Sequence, residues 1–498
     1  MKATTLLAVL IGVGLLACST ASPAQVDPTP NIDPRGNSPI PRSAPTIPMV
    51  EPTSVPTAIP VAEPTFVPTA IPVAEPTFVP TAIPVAEPTF VPTAIPVAEP
   101  TFVPTAILTY SFSTESPSAK LTNGFTKKRK KFGTSVAIDG DTIITGDPSD
   151  FSEGSTSGSA SIFNISNDTW IQNAQITADD IYQGYLFGEA VDIDGDTAVI
   201  GATGGAKGAV YVFVLRDGIW VQQAKLVDIA TDSSGQFGKS VAISGNTVVV
   251  GAPTDDAPET DSGSAFVFTR TDNLWSKAAQ LAPHGRIYTL INNMFGESVA
   301  IDSDRIYVGS PGDWSTNGTD SGAVYSFTLS DGTWVEEAKL NASDGAEGDN
   351  FGRSISVFND TLGVGAPAED SNATDSGAAY VFVRSSAGEW NEESKLIASD
   401  GAYDDNFGWS VAAGADVVIV GALYSNASGS DSGSLYTYDR TGTKWSERSK
   451  LTGTGITSND KLGTSVSISG KVAVAGAPGY TEEGKEAGAI HVFTAQLR

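Results

Sequence analysis

The chain has 498 residues, with 57 Asp and Glu against 29 Lys and Arg, for a formal charge of −28. That balance argues against a nucleic-acid partner, because phosphate backbones call for a clustered basic surface. A single cysteine, Cys18, leaves no internal disulfide framework, and only two histidines, His284 and His491, leave too few ligands for a Cys/His zinc site.

Residues 1–18 read as an export signal. Lys2 gives a positive start, "LLAVLIGVGLLA" is an apolar core too short to cross a bilayer, and small residues follow. The stretch "LLACS", Leu15 to Ser19, matches a bacterial lipobox in which Cys18 becomes the lipidated first residue, although Leu16 stands where a smaller residue is more usual. The expectation is a cell-surface lipoprotein whose only membrane contact is the lipid anchor. The alternative is a secreted glycoprotein, since sequons stand at Asn164, Asn167, Asn317, Asn341, Asn359, Asn372 and Asn426.

Residues 19–106 are a Pro/Thr-rich linker. From Glu51 a twelve-residue unit recurs, "EPTSVPTAIPVA" and then copies of "EPTFVPTAIPVA". Proline at this density removes backbone donors and fixes φ, so neither helix nor sheet propagates. An extended stalk is expected, reaching on the order of 200 Å where polyproline II forms.

From residue 107 to 498 internal repeats take over. Phe-Gly recurs at Phe132, Phe187, Phe237, Phe295, Phe351 and Phe407, with Leu462-Gly463 as a seventh copy, at spacings of 55, 50, 58, 56, 56 and 55 residues. Each unit runs in a fixed order: "FGRSISV", a two-residue turn, "TLGVGAP", an acidic loop, "SGAAYVFV", another turn, "EWNEESKL". Segments of four to seven β-formers bounded by Gly, Asn and Asp are short antiparallel strands joined by hairpins. Four strands per unit, at a period of about 50 residues, predict propeller blades.

The pattern "FGxSVAIxGDTxxVGAP" with "GSAYVF" resembles the FG-GAP repeat, best known from the seven-bladed propeller of integrin α subunits. The resemblance implies an all-β, seven-bladed propeller of four-stranded antiparallel blades. Six units end in a Trp-bearing segment of the type "TWVEEAKL"; the seventh does not, while "PSAKL" stands before the first Phe-Gly. The N-terminal stretch is therefore expected to supply the outer strand of the last blade and close the ring.

In this strand order two sets of loops share one face. One set joins "GAP" to "GSAYVF", and the other joins "AKL" to the next Phe-Gly; both are long and acidic. The integrin resemblance would place Ca²⁺ in longer loops on the opposite face, but here those are two-residue hairpins, and "DIDGDT" from Asp192 is too short to wrap an ion. If Ca²⁺ binds, the expected ligands are on the long-loop face: Asp255, Asp256, Asp344, Asp349, Asp400, Asp404 and Asp405, with Glu369 and Asp370 nearby. The competing reading is that these side chains cap turns.

Trp170, Trp220, Trp275, Trp334, Trp390 and Trp445 share one strand position and are expected to pack between blades. Trp314, in "GSPGDWSTNGTDSG", breaks that rule; with Asp313, and Tyr424 in "GALYSNASGS", it is the candidate ligand contact. A basic run, Lys127 to Lys131, stands where other units are acidic. No Ser-His-Asp pattern or Gly-rich phosphate cradle appears. The expected role is a non-catalytic, monomeric binding or adhesion module for a glycan or surface protein. Alternatives are a hydrolase using paired carboxylates and a structural surface protein.

Overall fold

A computed structural model describes residues 110–112, 117–123, 131–150, 157–205, 207–228, 235–256, 261–283, 292–314, 318–482 and 485–497. The residues expected to form the signal segment with Cys18 and the stalk, Lys127 to Lys130, His284 and Asn317 lie outside the described residues.

Seven four-stranded antiparallel sheets follow one another along the chain, with no helix among the described residues. Blade 5 shows the pattern: an inner strand Ser354–Phe358, then Thr361–Ala366, Ala378–Arg384 and an outer strand Trp390–Leu396. Blade 7 departs from it as the sequence predicts. Val466–Ser469, Val472–Ala477 and Ala489–Thr494 come from the C-terminal region, and the outer strand is Ala119–Leu121, with Leu121 opposite Ile490. A second stitch pairs Tyr110–Ser111 with Gln496–Leu497, and Phe112 is buried in the core between blades 6 and 7.

The repeat motif is the joint between blades. In blade 5 the glycine of "GAP", Gly365, packs against the carbonyl of Gly408, the "FG" glycine of the next unit; a Cβ there would collide with that oxygen. Gly408 itself sits at φ +95°, a conformation side chains rarely adopt. Ser354 donates a hydrogen bond to the same carbonyl at 2.9 Å. The arrangement recurs around the ring and closes between blades 7 and 1, where Gly476 packs on the Gly133 carbonyl and Ser465 donates to it. Parallel bridges link neighbouring units in the same way, the closing one joining Phe132 to Gly488.

Apolar cores lie between successive blades, so burial drives ring formation rather than blade formation alone. The six repeated tryptophans pack against these cores as expected. Trp275 also donates its indole N–H to Gln223 of the preceding blade, and Trp445 does the same to Glu393. On the tight-turn face, hairpin carboxylates cap the neighbouring blade's backbone: Gly195 N–H donates to Asp139, and Asn359 N–H to Asp302. Asp192, inside "DIDGDT", accepts from the amides of Ile193 and Ile243.

Candidate functional site on the long-loop face

The long loops carry most of the candidate residues, and the acids there divide into three groups. The first binds lysine. In blade 5 the ammonium of Lys395, from the "SKL" end of the outer strand, donates to Asp344 and to Glu369, both at 2.7 Å, while Tyr380 donates its hydroxyl to Asp344 at 2.9 Å. Blade 6 repeats this: Lys450 donates to Asp400 at 2.8 Å, and Tyr436 to Asp400 at 2.7 Å. Burial pushes the Asp344 and Asp400 carboxyls up, but the lysine and tyrosine hydrogen bonds outweigh it and hold both below the ordinary carboxylate range. Since Asp344 lies in the loop entering from blade 4, each lysine ties one blade to the next. Asp313 belongs here too: buried, it takes a 2.5 Å hydrogen bond from Tyr325 and one of 2.8 Å from Lys339.

The second group caps backbone. Asp349 accepts from Ala346 N–H at 2.7 Å and Asp405 from Ala402 N–H at 2.9 Å, each within its own loop. Burial pushes the Asp349 carboxyl up to about 6 and raises Asp405 as well. Asp255 is buried and receives the Ser264 hydroxyl, while Asp256 accepts from Asp261 N–H. Among the described residues no three Asp, Glu, His or Cys side chains converge in a way that would hold a metal ion. At Asp344 and Asp400 a lysine ammonium stands where the sequence suggested a cation.

A third group lines a cleft of about 460 Å³ between blades 4, 5 and 6. Its walls include Met294, Pro311, Pro367, Asn350 and Asn406, and its charged or aromatic members are Glu297, Arg353, Asp375, Asp404 and Trp409. Arg353 lies over the Trp409 indole, 4.5 Å from the ring centre, and is ion-paired with Glu297. Tyr424 meets Trp409 edge-on with ring centres 6.4 Å apart, and Lys461 caps Tyr424 at 4.8 Å. One column of stacked groups therefore runs from blade 4 to the loop entering blade 7.

Trp314 is 44% exposed and is not among the lining residues. Tyr424 joins the cleft through Trp409, whereas the Asp313 carboxylate is turned inward onto Tyr325 and Lys339. Sequence reading missed Trp409 as a site residue. The signal was present: the position after Phe-Gly is Thr134, Glu189, Lys239, Glu297, Arg353 and Thr464 in the other units, and only here is it aromatic.

Seven segments, 116–163, 170–213, 220–268, 290–327, 334–382, 390–438 and 445–493, match the FG-GAP repeat. The chain belongs to the FG-GAP repeat family, and its fold resembles the integrin α N-terminal propeller. No curated protein matches the chain in sequence.

Proposed function

We propose that the chain is an exported, surface-displayed, non-catalytic recognition propeller that binds a glycan through its long-loop face. The observation that carries this reading is the cleft holding Trp409, Arg353 and Glu297. It is concave, walled by an aromatic ring and prolines, and edged with amide, guanidinium and carboxylate groups, the mixture that sugar faces and hydroxyls engage. The rigid blades repeat while these loops differ from unit to unit, as expected when a scaffold carries a site. The lipobox at Cys18 and the proline stalk support display of the ring, as a monomer, at a distance from the envelope. The hydrolase alternative would have to recruit Asp375 and Asp404, the carboxylates of this cleft outside the Arg353 pair, as its acid and nucleophile.

Glycan-array binding of the full chain tests the reading. Trp409→Ala should weaken retention by the folded protein by about tenfold or more, on the scale of a lost anchor, with a lowered melting temperature because the contacts to Arg353 and Tyr424 go with it. Trp314→Ala should have the smaller effect. Undiminished binding by both variants would remove the long-loop face as the site, and release of cleaved oligosaccharide would favour the hydrolase.

A further inference from the structure

The charges of the cleft do not cancel. Glu297 neutralises Arg353, which leaves Asp375 and Asp404 at the edge with no cationic partner among the described residues. Asp404 accepts only a weak contact from the Asn406 side-chain amide at 3.3 Å, and the Asp375 carboxylate makes no hydrogen bond among the described residues. Both aspartates adopt left-handed backbone, at φ 54° and 62°, which fixes where their side chains can stand. Elsewhere on this face, Asp180, Asp228, Asp313, Asp344 and Asp400 each hold a lysine ammonium. Asp375 stands at the turn position that Asp261, Asp320 and Asp431 occupy in other units, and here it lines a cleft together with Asp404 and an aromatic wall.

Resting on the glycan reading, we propose that the ligand of this cleft is an amino sugar with a free, protonated amine, as in a deacetylated glucosamine polymer. The sugar ring would pack on the Trp409 and Met294 side, with its ammonium between Asp375 and Asp404. Burial, followed by the negative charges of Asp370 and Asp404, raises the Asp375 carboxyl, and an ammonium there would relieve that repulsion. The same geometry disfavours uronates and sialic acids, whose carboxylates would meet like charge. The formal charge of −28 acts in the same direction at long range, drawing a polycationic glycan toward the ring and repelling a polyanionic one.

The probes are a glucosamine hexamer, its fully N-acetylated counterpart and oligolysine of the same charge, titrated calorimetrically into the full chain at about pH 6, where sugar amines are charged and carboxylates ionised. The free-amine sugar should bind about tenfold or more tighter than the acetylated one, the advantage shrinking as salt rises. Asp375→Asn with Asp404→Asn should abolish that preference. Asp217→Asn with Asp272→Asn, on the tight-turn face, should leave it intact and control for net charge. Equal affinity for both sugars, or tighter binding of the acetylated one, overturns the amine assignment and leaves the glycan reading standing. Oligolysine bound as tightly, with the same dependence on Trp409, overturns recognition of a sugar. If no sugar binds, the glycan reading fails as well.

Discussion

Blades 5 and 7 do the same structural job with different chemistry. In blade 5, Tyr380, Lys395, Asp344 and Glu369 form a polar seam, and Phe351 packs edge-on against Tyr380 with ring centres 5.4 Å apart. In blade 7 the lysine is kept as Lys120, but His491 stands in place of Tyr380, Tyr480 in place of Glu369, Leu462 in place of Phe351, and Gly455 in place of the loop aspartate. Lys120 donates to the Tyr480 hydroxyl at 2.6 Å and to Glu482 at 3.3 Å. Tyr480 packs edge-on against His491 with ring centres 6.3 Å apart. His491 is fully buried, neither ring nitrogen has a hydrogen-bond partner among the described residues, and burial together with the Lys120 charge lowers its pKa to about 4. The comparison shows that the acidic seam is dispensable. What every blade keeps is the glycine-carbonyl joint and a fourth strand.

The largest effect should therefore come from removing that strand. Deleting Leu108 to Leu121 leaves the Ala489–Thr494 edge of blade 7 unpaired and takes Leu121 and Phe112 out of the core. The ring should lose more than about 3 kcal/mol and aggregate through the open edge. By contrast Lys395→Met in blade 5 should cost less, about 1–2 kcal/mol: the Asp344 pair is half exposed and screened by solvent, while the mostly buried Glu369 loses its ammonium but keeps its hydrogen bonds from Ser371. Chemical denaturation of the two variants side by side would break the comparison if the blade 5 change proved the more damaging.

The second test separates the blades by pH. The unfolded histidine titrates near its usual 6.5, whereas folded His491 stays neutral down to about 4. The unfolded state then binds the extra proton first, so the histidine's contribution is intact above about 6.5 and is lost as pH falls toward 4. A shift of that size corresponds to about 3 kcal/mol. In blade 3 the same position is Phe266, so His491→Phe is tolerated by the repeat geometry and should flatten the stability loss between those pH values. An unchanged pH profile in His491→Phe would mean that blade 7 does not govern acid stability.

These contrasts also mark how far the sequence could be read. Blade number, strand order and the N-terminal closing strand were legible, because the Phe-Gly and Gly-Ala-Pro glycines recur where backbones touch and no side chain fits. The polar seam was not, because Tyr380 lies 36 residues from Asp344 and Lys395 lies 51 residues from it, so the partners fall in different units. The acids looked like a calcium surface because their lysines are read, one unit later, as the tails of strands. Trp409 was not legible as a site residue because it follows Phe407-Gly408 inside the structural motif, and the neighbours of its ring, Arg353 and Tyr424, come from another unit and from a later loop.

The smallest effect expected is that of calcium, and it tests whether lysine is the cation of the blade 5 and 6 seams. A hard divalent ion needs six or more oxygens, and Asp344, Glu369 and Asp400 already share theirs with Lys395 and Lys450. Asp349 and Asp405 spend one oxygen each on a backbone amide, and burial already favours their protonated forms. Millimolar calcium or a chelator should thus leave the melting temperature of the full chain unchanged. Asp349→Asn should instead raise it at about pH 8 and not at pH 3: a raised acid pKa gives stability that is full below about 3.8 and lost as pH climbs through 6. A calcium-dependent rise that disappears in Asp349→Asn would show that the loop binds metal and that the capping role is secondary.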